Sequence, residues 1–325
     1  MYIKRFDKKS KLEAKDVEKN DKLVKMLGKG FKRARKSRGL VQADFIGKDI
    51  SAGSISGVEN GKQDLRSSIL YKFLMKMGLT FSEFWYLANN YELDEFRKVW
   101  LKSEKLILNG DARTLKILLS QEEWKIKENP DDKYRKLNHF MLRHQAAEIV
   151  PEYKLSGNER KQILKYLMSM NDWTKYDLTL YGNTIGCFDA KMIIALSDNV
   201  VSHTSFYKEI PENKKLIATI LLNTTNELLF HNELHAAIRF KNQVSDLLSE
   251  YDICEKTVFL FASGVIKFCQ GDKGAGDREM QDAIDIFSKV GSSRLVQNYQ
   301  KIYDNITKPT IKKNIKFNTL PISNV

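Results

Sequence analysis

Residues 28–61 read GKGFKRARKSRGLVQADFIGKDISAGSISGVENG, and this stretch decides the fold of the first third of the chain. Five cations fall within residues 31–38, a pattern that predicts a basic helix ended by Gly39. Apolar residues within 42–48 predict a second short helix. Ser51 stands where a helix N-cap is needed, and Ile55 and Val58 give the following helix a buried face. Asn60-Gly61 ends that helix.

The exposed face of this third helix suits contact with DNA. It presents small hydrogen-bonding side chains beside a cluster of cations, an arrangement typical of a helix that enters the major groove. A solvated basic surface with no partner is the alternative, because basic amphipathic helices are common. We predict that one group of residues holds phosphates and that a second group lies nearest the base edges. The first group is Lys32, Arg33, Arg35, Lys36, Gln42 and Lys62, and the second is Ser51, Ser54 and Ser56.

The spacing of the motif is more specific than its composition. It resembles the Cro/repressor-type helix-turn-helix and, with its flanks, the DNA-binding domain of the Rgg/MutR regulators, which are peptide-pheromone transcription factors of Gram-positive bacteria. The matching positions are Gly28, Arg35, Leu40, Gln42, Ser51, Ile55, Ser56, Glu59, Gly61 and the stretch 78–84, GLTFSEF. Gly57 departs from the pattern, because relatives usually carry a cation there, so we expect one phosphate or base contact to be missing.

The charge of the whole chain supports a polyanionic partner for one end only. The 325 residues carry a net charge of +13, and residues 1–90 hold 20 Lys/Arg against 10 Asp/Glu. Residues 91–307 hold 30 Lys/Arg against 31 Asp/Glu, so they are nearly neutral. No apolar run approaches the ~20 residues that span a bilayer, and the three cysteines form no close pair. We therefore expect a cytoplasmic protein with no membrane partner.

After residue 90 the pattern predicts long amphipathic helices joined by short polar turns. The turn signals place these helices near 92–109, 112–128, 132–149, 157–170, 173–185, 187–208, 212–230, 233–250, 253–270, 275–290 and 292–306. Helix pairs of roughly 35–45 residues match tetratricopeptide-like spacing. The predicted class is all-α, with a helix-turn-helix domain followed by a tetratricopeptide-like solenoid. Its segments are a flexible basic extension (1–21), the DNA-binding domain (22–90), the repeat domain (91–306) and a basic tail (307–325).

The resemblance to the Rgg regulators continues through this second part. It rests on 173–183, WTKYDLTLYGN, on 220–223 with Ala236-Ala237, and on the stretch from Gly274 to Tyr303. It implies an all-helical homodimer that binds double-stranded promoter DNA and whose repeat domain binds a short signalling peptide, as in quorum sensing.

One polar stripe of the repeat domain is a candidate binding site for that peptide. Thr219, Asn223, Asn226 and Phe230 share a face of one helix, and asparagine amides can both donate to and accept from a peptide backbone. Repeat-type peptide receptors that resemble this chain use such asparagines to hold the peptide backbone. Asn183 could join the same groove, and Arg143 could take a peptide carboxylate. The alternative is that these residues only hold neighbouring helices together.

No motif predicts catalysis, a cofactor or a metal. His231 and His235 have the spacing of a metal pair, but the string is HNELH, and the first histidine lies at a predicted helix end. The two functions that stay open are a peptide-responsive DNA-binding regulator and a helical-repeat scaffold whose basic head does not read DNA. Salt-dependent DNA binding distinguishes them.

Overall fold

The computed structural model describes residues 2–48, 50–204 and 210–308. These residues form α-helices and short 3-10 turns, and within them no strand occurs beyond one backbone bridge between Gly47 and Ile50. The all-α prediction is therefore confirmed. The chain divides into two compact units, Met1–Lys98 and Val99–Val325, where the sequence predicted a boundary near residue 90.

The first unit contains four helices: α1 (Tyr2–Ser37), α2 (Ala52–Glu59), α3 (Ser67–Met77) and α4 (Phe81–Ala88). Residues 2–21, expected to form a flexible extension, instead continue α1. No glycine or proline interrupts the chain before Gly28, and Lys and Glu are good helix formers. The second short helix, expected over 42–48, is one 3-10 turn, Gln42–Phe45, because Ile46 already has extended backbone angles.

Aromatic rings fill the core of the first unit. The rings of Phe31, Phe45 and Phe73 lie with centroids 4.7–5.4 Å apart, and Phe84 is buried beside them. Phe81 and Trp85, also aromatic, point outward instead and are 51% and 48% exposed. The inward face of α4 is formed by residues 84, 87 and 88.

Two glycines let α1 lie unusually close to its neighbours. An ideal Cβ on Gly28 would come 2.0 Å from the carbonyl oxygen of Val58, and one on Gly30 would come 2.5 Å from the Cβ of Ala88. Contacts this short do not occur between real side chains. Gly28, part of the sequence motif, is therefore required by the crossing of α1 with α2.

The helices predicted after residue 90 all have counterparts in the structure. They are α5 (Glu95–Leu108), α6 (Ala112–Glu128), α7 (Lys133–Ala146), α8 (Gly157–Met168), α9 (Lys175–Gly182), α10 (Ala190–Ser202), α11 (Pro211–Phe230), α12 (Leu234–Val244), α13 (Ile253–Cys269), α14 (Lys273–Lys289) and α15 (Ser293–Thr307). Of the predicted basic tail, residues 309–325 lie outside the described residues.

Helix α6 packs on α7, the helices from α10 to α15 pack successively as neighbours, and α11 lies against α9, α10, α12 and α13. Local signals set their ends as expected. At the start of α8, the Ser156 hydroxyl accepts from the backbone N–H of Glu159 at 3.3 Å, and the Ser156 N–H donates to the Glu159 carboxylate at 2.8 Å. None of the described helices combines the length and the apolar composition needed to cross a membrane.

Candidate DNA interface and peptide-binding residues

Helix α2 is the candidate recognition helix, and Ser51 caps it as predicted. The Ser51 hydroxyl accepts from the backbone N–H of Ser54 at 3.2 Å and lies 3.0 Å from the Ser54 hydroxyl. Ile55 and Val58 are buried beneath the helix, while Ser54 and Ser56 are half-buried at its side. The small polar groups therefore lie on the face away from the core, where they could contact the major groove of DNA.

The predicted phosphate contacts divide into two groups by whether hydrogen bonds already hold the side chain within the domain. Lys36 and Lys62 are exposed and Lys32 is half-buried, so their ammonium groups can reach a polyanion. Arg33 is attached to the end of α4 instead. Its guanidinium donates to the Leu87 carbonyl at 3.2 Å and to the Asn90 side-chain oxygen at 3.1 Å. This placement does not support the phosphate contact expected of Arg33.

Arg35 lies inside the domain, which corrects its expected role. Its Nε donates to one oxygen of Glu59 at 2.6 Å, a terminal nitrogen donates to the other at 3.1 Å, and a third donor reaches the Leu40 carbonyl. Gln42, also predicted to face phosphate, donates to the same Glu59 carboxylate at 2.8 Å. These bonds join the end of α1 and the 3-10 turn to α2, so both residues position the recognition helix.

The charge balance of this cluster favours an ionised Glu59. Burial acts to raise the pKa of the carboxyl, but the hydrogen bonds from Arg35 and Gln42 and the charges of Arg35 and Lys32 outweigh it. The pKa of Glu59 is therefore lowered. A buried carboxylate stays charged when it is paired and its oxygens accept hydrogen bonds.

Gly57 lies on the outer side of α2 against the following turn. A Cβ there would come 2.9 Å from the end of the flexible Gln63 side chain, and the Gly57 carbonyl accepts from the N–H groups of Lys62 and Gln63. A side chain at this position would therefore have to displace Gln63.

The polar stripe on α11 is buried in the repeat domain. Thr219, Asn223 and Asn226 are 8%, 0% and 1% exposed, respectively, because residues 216–228 are buried on every side. Phe230 at the end of the helix is half-buried. The sequence correctly places these residues on one face, but that face lies inside the packed helices. The placement favours the alternative that they hold helices together.

Hydrogen bonds next to this stripe connect three helices. Tyr181 on α9 lies 2.7 Å from the Ser197 hydroxyl on α10, which lies 2.8 Å from the Thr224 hydroxyl on α11. Asn226 is different, because neither its amide nitrogen nor its amide oxygen has a hydrogen-bond partner. The amide lies near the buried Tyr299 hydroxyl, but the two groups do not have hydrogen-bonding geometry.

Asn226→Leu is expected to raise the free energy of unfolding of the repeat domain by about 1–2 kcal/mol, because burying an unpaired amide costs ~1–3 kcal/mol and leucine has a similar shape. Asn223→Leu is the matched control. Asn223 is equally buried but has an interaction partner, so its replacement should destabilise the domain. Urea unfolding followed by circular dichroism measures both. A loss of stability in Asn226→Leu would mean that the amide is hydrogen-bonded in solution.

The remaining predicted peptide residues lie on or at the end of other helices. The Asn183 amide, at the end of α9, donates to the Thr179 carbonyl at 2.9 Å. Arg143 on α7 pairs with Glu159 on α8 and lies 5.9 Å from the centre of the Tyr153 ring. Its guanidinium faces an open groove between α7 and α8. No sequence signal singled out Lys136, which lines this groove, or Lys165, which lines the adjoining cavity.

The histidine pair does not share a helical face. His231 follows the last residue of α11, and His235 lies in α12. Within the described residues, no group of three or more His, Cys, Asp or Glu side chains could hold a metal ion.

This architecture defines a class of protein: a helix-turn-helix head followed by a helical-repeat domain. Residues 117–301 match the family model described as HTH-type transcriptional regulator Rgg, C-terminal domain. The chain belongs to the Rgg family of transcriptional regulators.

Solved structures share the fold across most of the chain. The SHP pheromone receptor Rgg2 of Streptococcus dysgalactiae is 22% identical, with a TM-score of 0.72, over 86% of this chain and 99% of that one. PrgX in complex with cCF10 is 16% identical, with a TM-score of 0.64, over 91% and 95%. At these identities the likeness concerns the fold alone.

Proposed function

We propose that this protein is a sequence-specific DNA-binding regulator, working as a homodimer, whose repeat domain responds to a short signalling peptide. The observation that carries the proposal is the capped helix α2. Its outer face bears Ser54 and Ser56, and the exposed cations Lys36 and Lys62 flank it in sequence. Family membership supports the regulatory role, and the pheromone receptors that share the fold support a peptide as the signal.

The buried pair Arg35–Glu59 serves this function indirectly. It fixes α2 against α1 and the 3-10 turn, so the serines are held before DNA arrives. A helix held in advance loses less entropy on binding. Gly53 and Gly57 inside α2 make the helix less stable, since each costs about 1 kcal/mol relative to alanine in a helix interior.

Lys36→Ala with Lys62→Ala is expected to reduce the salt dependence of DNA binding. Each phosphate contact contributes about 0.9 to the log–log slope of affinity against salt, so the slope should fall by about 2. Fluorescence anisotropy with a short labelled duplex of arbitrary sequence measures this slope over a salt series.

The control removes the same charge elsewhere. Lys191→Ala with Lys289→Ala changes two exposed lysines of the repeat domain and should leave the slope unchanged. An equal slope in the wild type and both double variants would remove Lys36 and Lys62 from the interface. A wild type with no salt-dependent DNA binding would favour the scaffold.

A further inference from the structure

A groove runs between α7 and α8 on the surface of the repeat domain. Two adjoining cavities of about 440 and 500 Å³ form it, and both are lined by Lys136, Phe140 and Gln162. The residues of α7 that line it run from Lys133 to Arg143, a length of about 15 Å at 1.5 Å per residue. An extended peptide of four or five residues spans that length.

The floor of the groove is apolar. Leu137 and Phe140 on α7 are 3% and 8% exposed, and Tyr166 on α8 is 5% exposed. Tyr166 cannot readily become an anion, because burial and its hydrogen bond to Asp177 raise its pKa. A ligand that fills the groove therefore needs apolar groups along its length.

The rim carries cations that lack partners. Lys127, Lys136 and Lys165 line the groove, and none of the carboxylates in the described residues lies within ion-pair distance of them. Three acids also line the groove: Glu159 pairs with Arg143, Glu123 lies 3.5 Å from His139, whose pKa is lowered by burial, and Asp131 lies near the start of α7. Lys127, Lys133, Lys136 and Lys165 outnumber the two acids that no cation neutralises, Glu123 and Asp131. The uncompensated charge is positive, so the groove favours an anionic ligand.

Two buried polar atoms beside the groove also lack partners. They are Nδ1 of His139 and Nε of Arg143. His139 is only 5% exposed. Both residues line the cavity. A buried polar group without a hydrogen bond costs free energy. Because protein covers both atoms, a ligand in the groove could supply the missing bonds only if these side chains turned.

We propose that the groove between α7 and α8 binds a short acidic peptide, with its carboxylates at Lys136 and Lys165 and its apolar side chains on Phe140. This inference rests on the proposed function, because it assigns a place and a chemistry to the peptide. The apolar floor favours a peptide over a nucleic acid. The buried polar residues of α11 are not needed for the peptide to bind in this groove.

The test compares two acetylated pentapeptides, DLLDL and NLLNL, labelled with the same neutral dye. Wild-type protein is expected to bind DLLDL about tenfold more tightly, a difference of ~1.4 kcal/mol. Lys136→Gln with Lys165→Gln should remove that preference, while Lys191→Gln with Lys289→Gln should retain it. All four lysines lie at half-buried or exposed positions on helices, so the variants are expected to fold.

The outcomes separate the inference from the proposed function. Equal binding of the two peptides by the wild type, no binding of either, or an equal loss in both double variants overturns the groove assignment. Loss of DNA affinity in Lys136→Gln with Lys165→Gln, without loss of DLLDL, also overturns it, because the groove would then be a nucleic-acid surface. DLLDL preference in a wild type that binds no duplex would retain the groove and reject the DNA-binding function.

Discussion

Arg35→Ala is expected to destabilise the N-terminal domain by about 3–5 kcal/mol, the usual cost of leaving one member of a buried ion pair without its partner. The Glu59 carboxylate, 3% exposed, would lose two of the three hydrogen bonds described above and keep that from Gln42. Such a loss is comparable to the whole stability of a small domain. DNA binding should therefore disappear because the recognition helix is no longer held.

Hydrogen exchange measured on peptides from residues 22–90 isolates this effect from the repeat domain. Lys36→Ala, one residue away and exposed, is the control for loss of a cation and should leave the exchange unchanged. Arg35→Met with Glu59→Leu removes both charges at once. It should recover most of the lost protection, since apolar residues can replace a buried pair at little cost. Normal protection in Arg35→Ala would mean that the pair does not hold the domain together.

The same pair predicts how the domain responds to acid. The folded pKa of Glu59 is lower than its ordinary value, so the pair stabilises the domain fully above the unfolded pKa. That contribution is lost as the pH falls through the folded pKa. Glu59→Gln should be less stable at neutral pH and should show a smaller loss of stability on acidification than the wild type. Urea unfolding at a series of acidic pH values measures the difference.

The sequence predicted the local elements well because their signals are local. Ser51 caps α2 through a bond to a residue three positions away, and Ser156 with Glu159 does the same for α8. Such bonds depend on spacing alone. The sequence could not tell which of the clustered arginines turns inward. That choice depends on Glu59, which is 24 residues from Arg35.

Periodicity failed in a second way at α11. The spacing of Thr219, Asn223 and Asn226 establishes a common face, but a common face can line a groove or close against other helices. Only the packing of α9, α10 and α13 around α11 decides between these. The spacing left both possibilities open. Burial of polar groups is costly, and the hydroxyl network of Tyr181, Ser197 and Thr224 shows how the interior accommodates them.

Gly276→Ala is expected to destabilise the repeat domain by about 3 kcal/mol, at the upper end of the range for overpacking. An ideal Cβ on Gly276 would come 2.6 Å from the carbonyl oxygen of Gly264 and 2.6 Å from the backbone nitrogen of Phe268. Both are backbone atoms of α13, so α13 and α14 would have to separate. Alanine improves helix propensity by only about 1 kcal/mol.

Gly274→Ala makes the same change two residues earlier in α14, where no atom lies within 4 Å of the added Cβ. It should stabilise the domain by up to ~1 kcal/mol, so the two alanines are expected to act with opposite sign. Hydrogen exchange on peptides from residues 253–307 measures both. Phe287 on α14 stacks on Tyr299, which also contacts Phe261 on α13. Separating α13 from α14 would therefore loosen α15 as well, and equal protection in the two variants would contradict the close crossing.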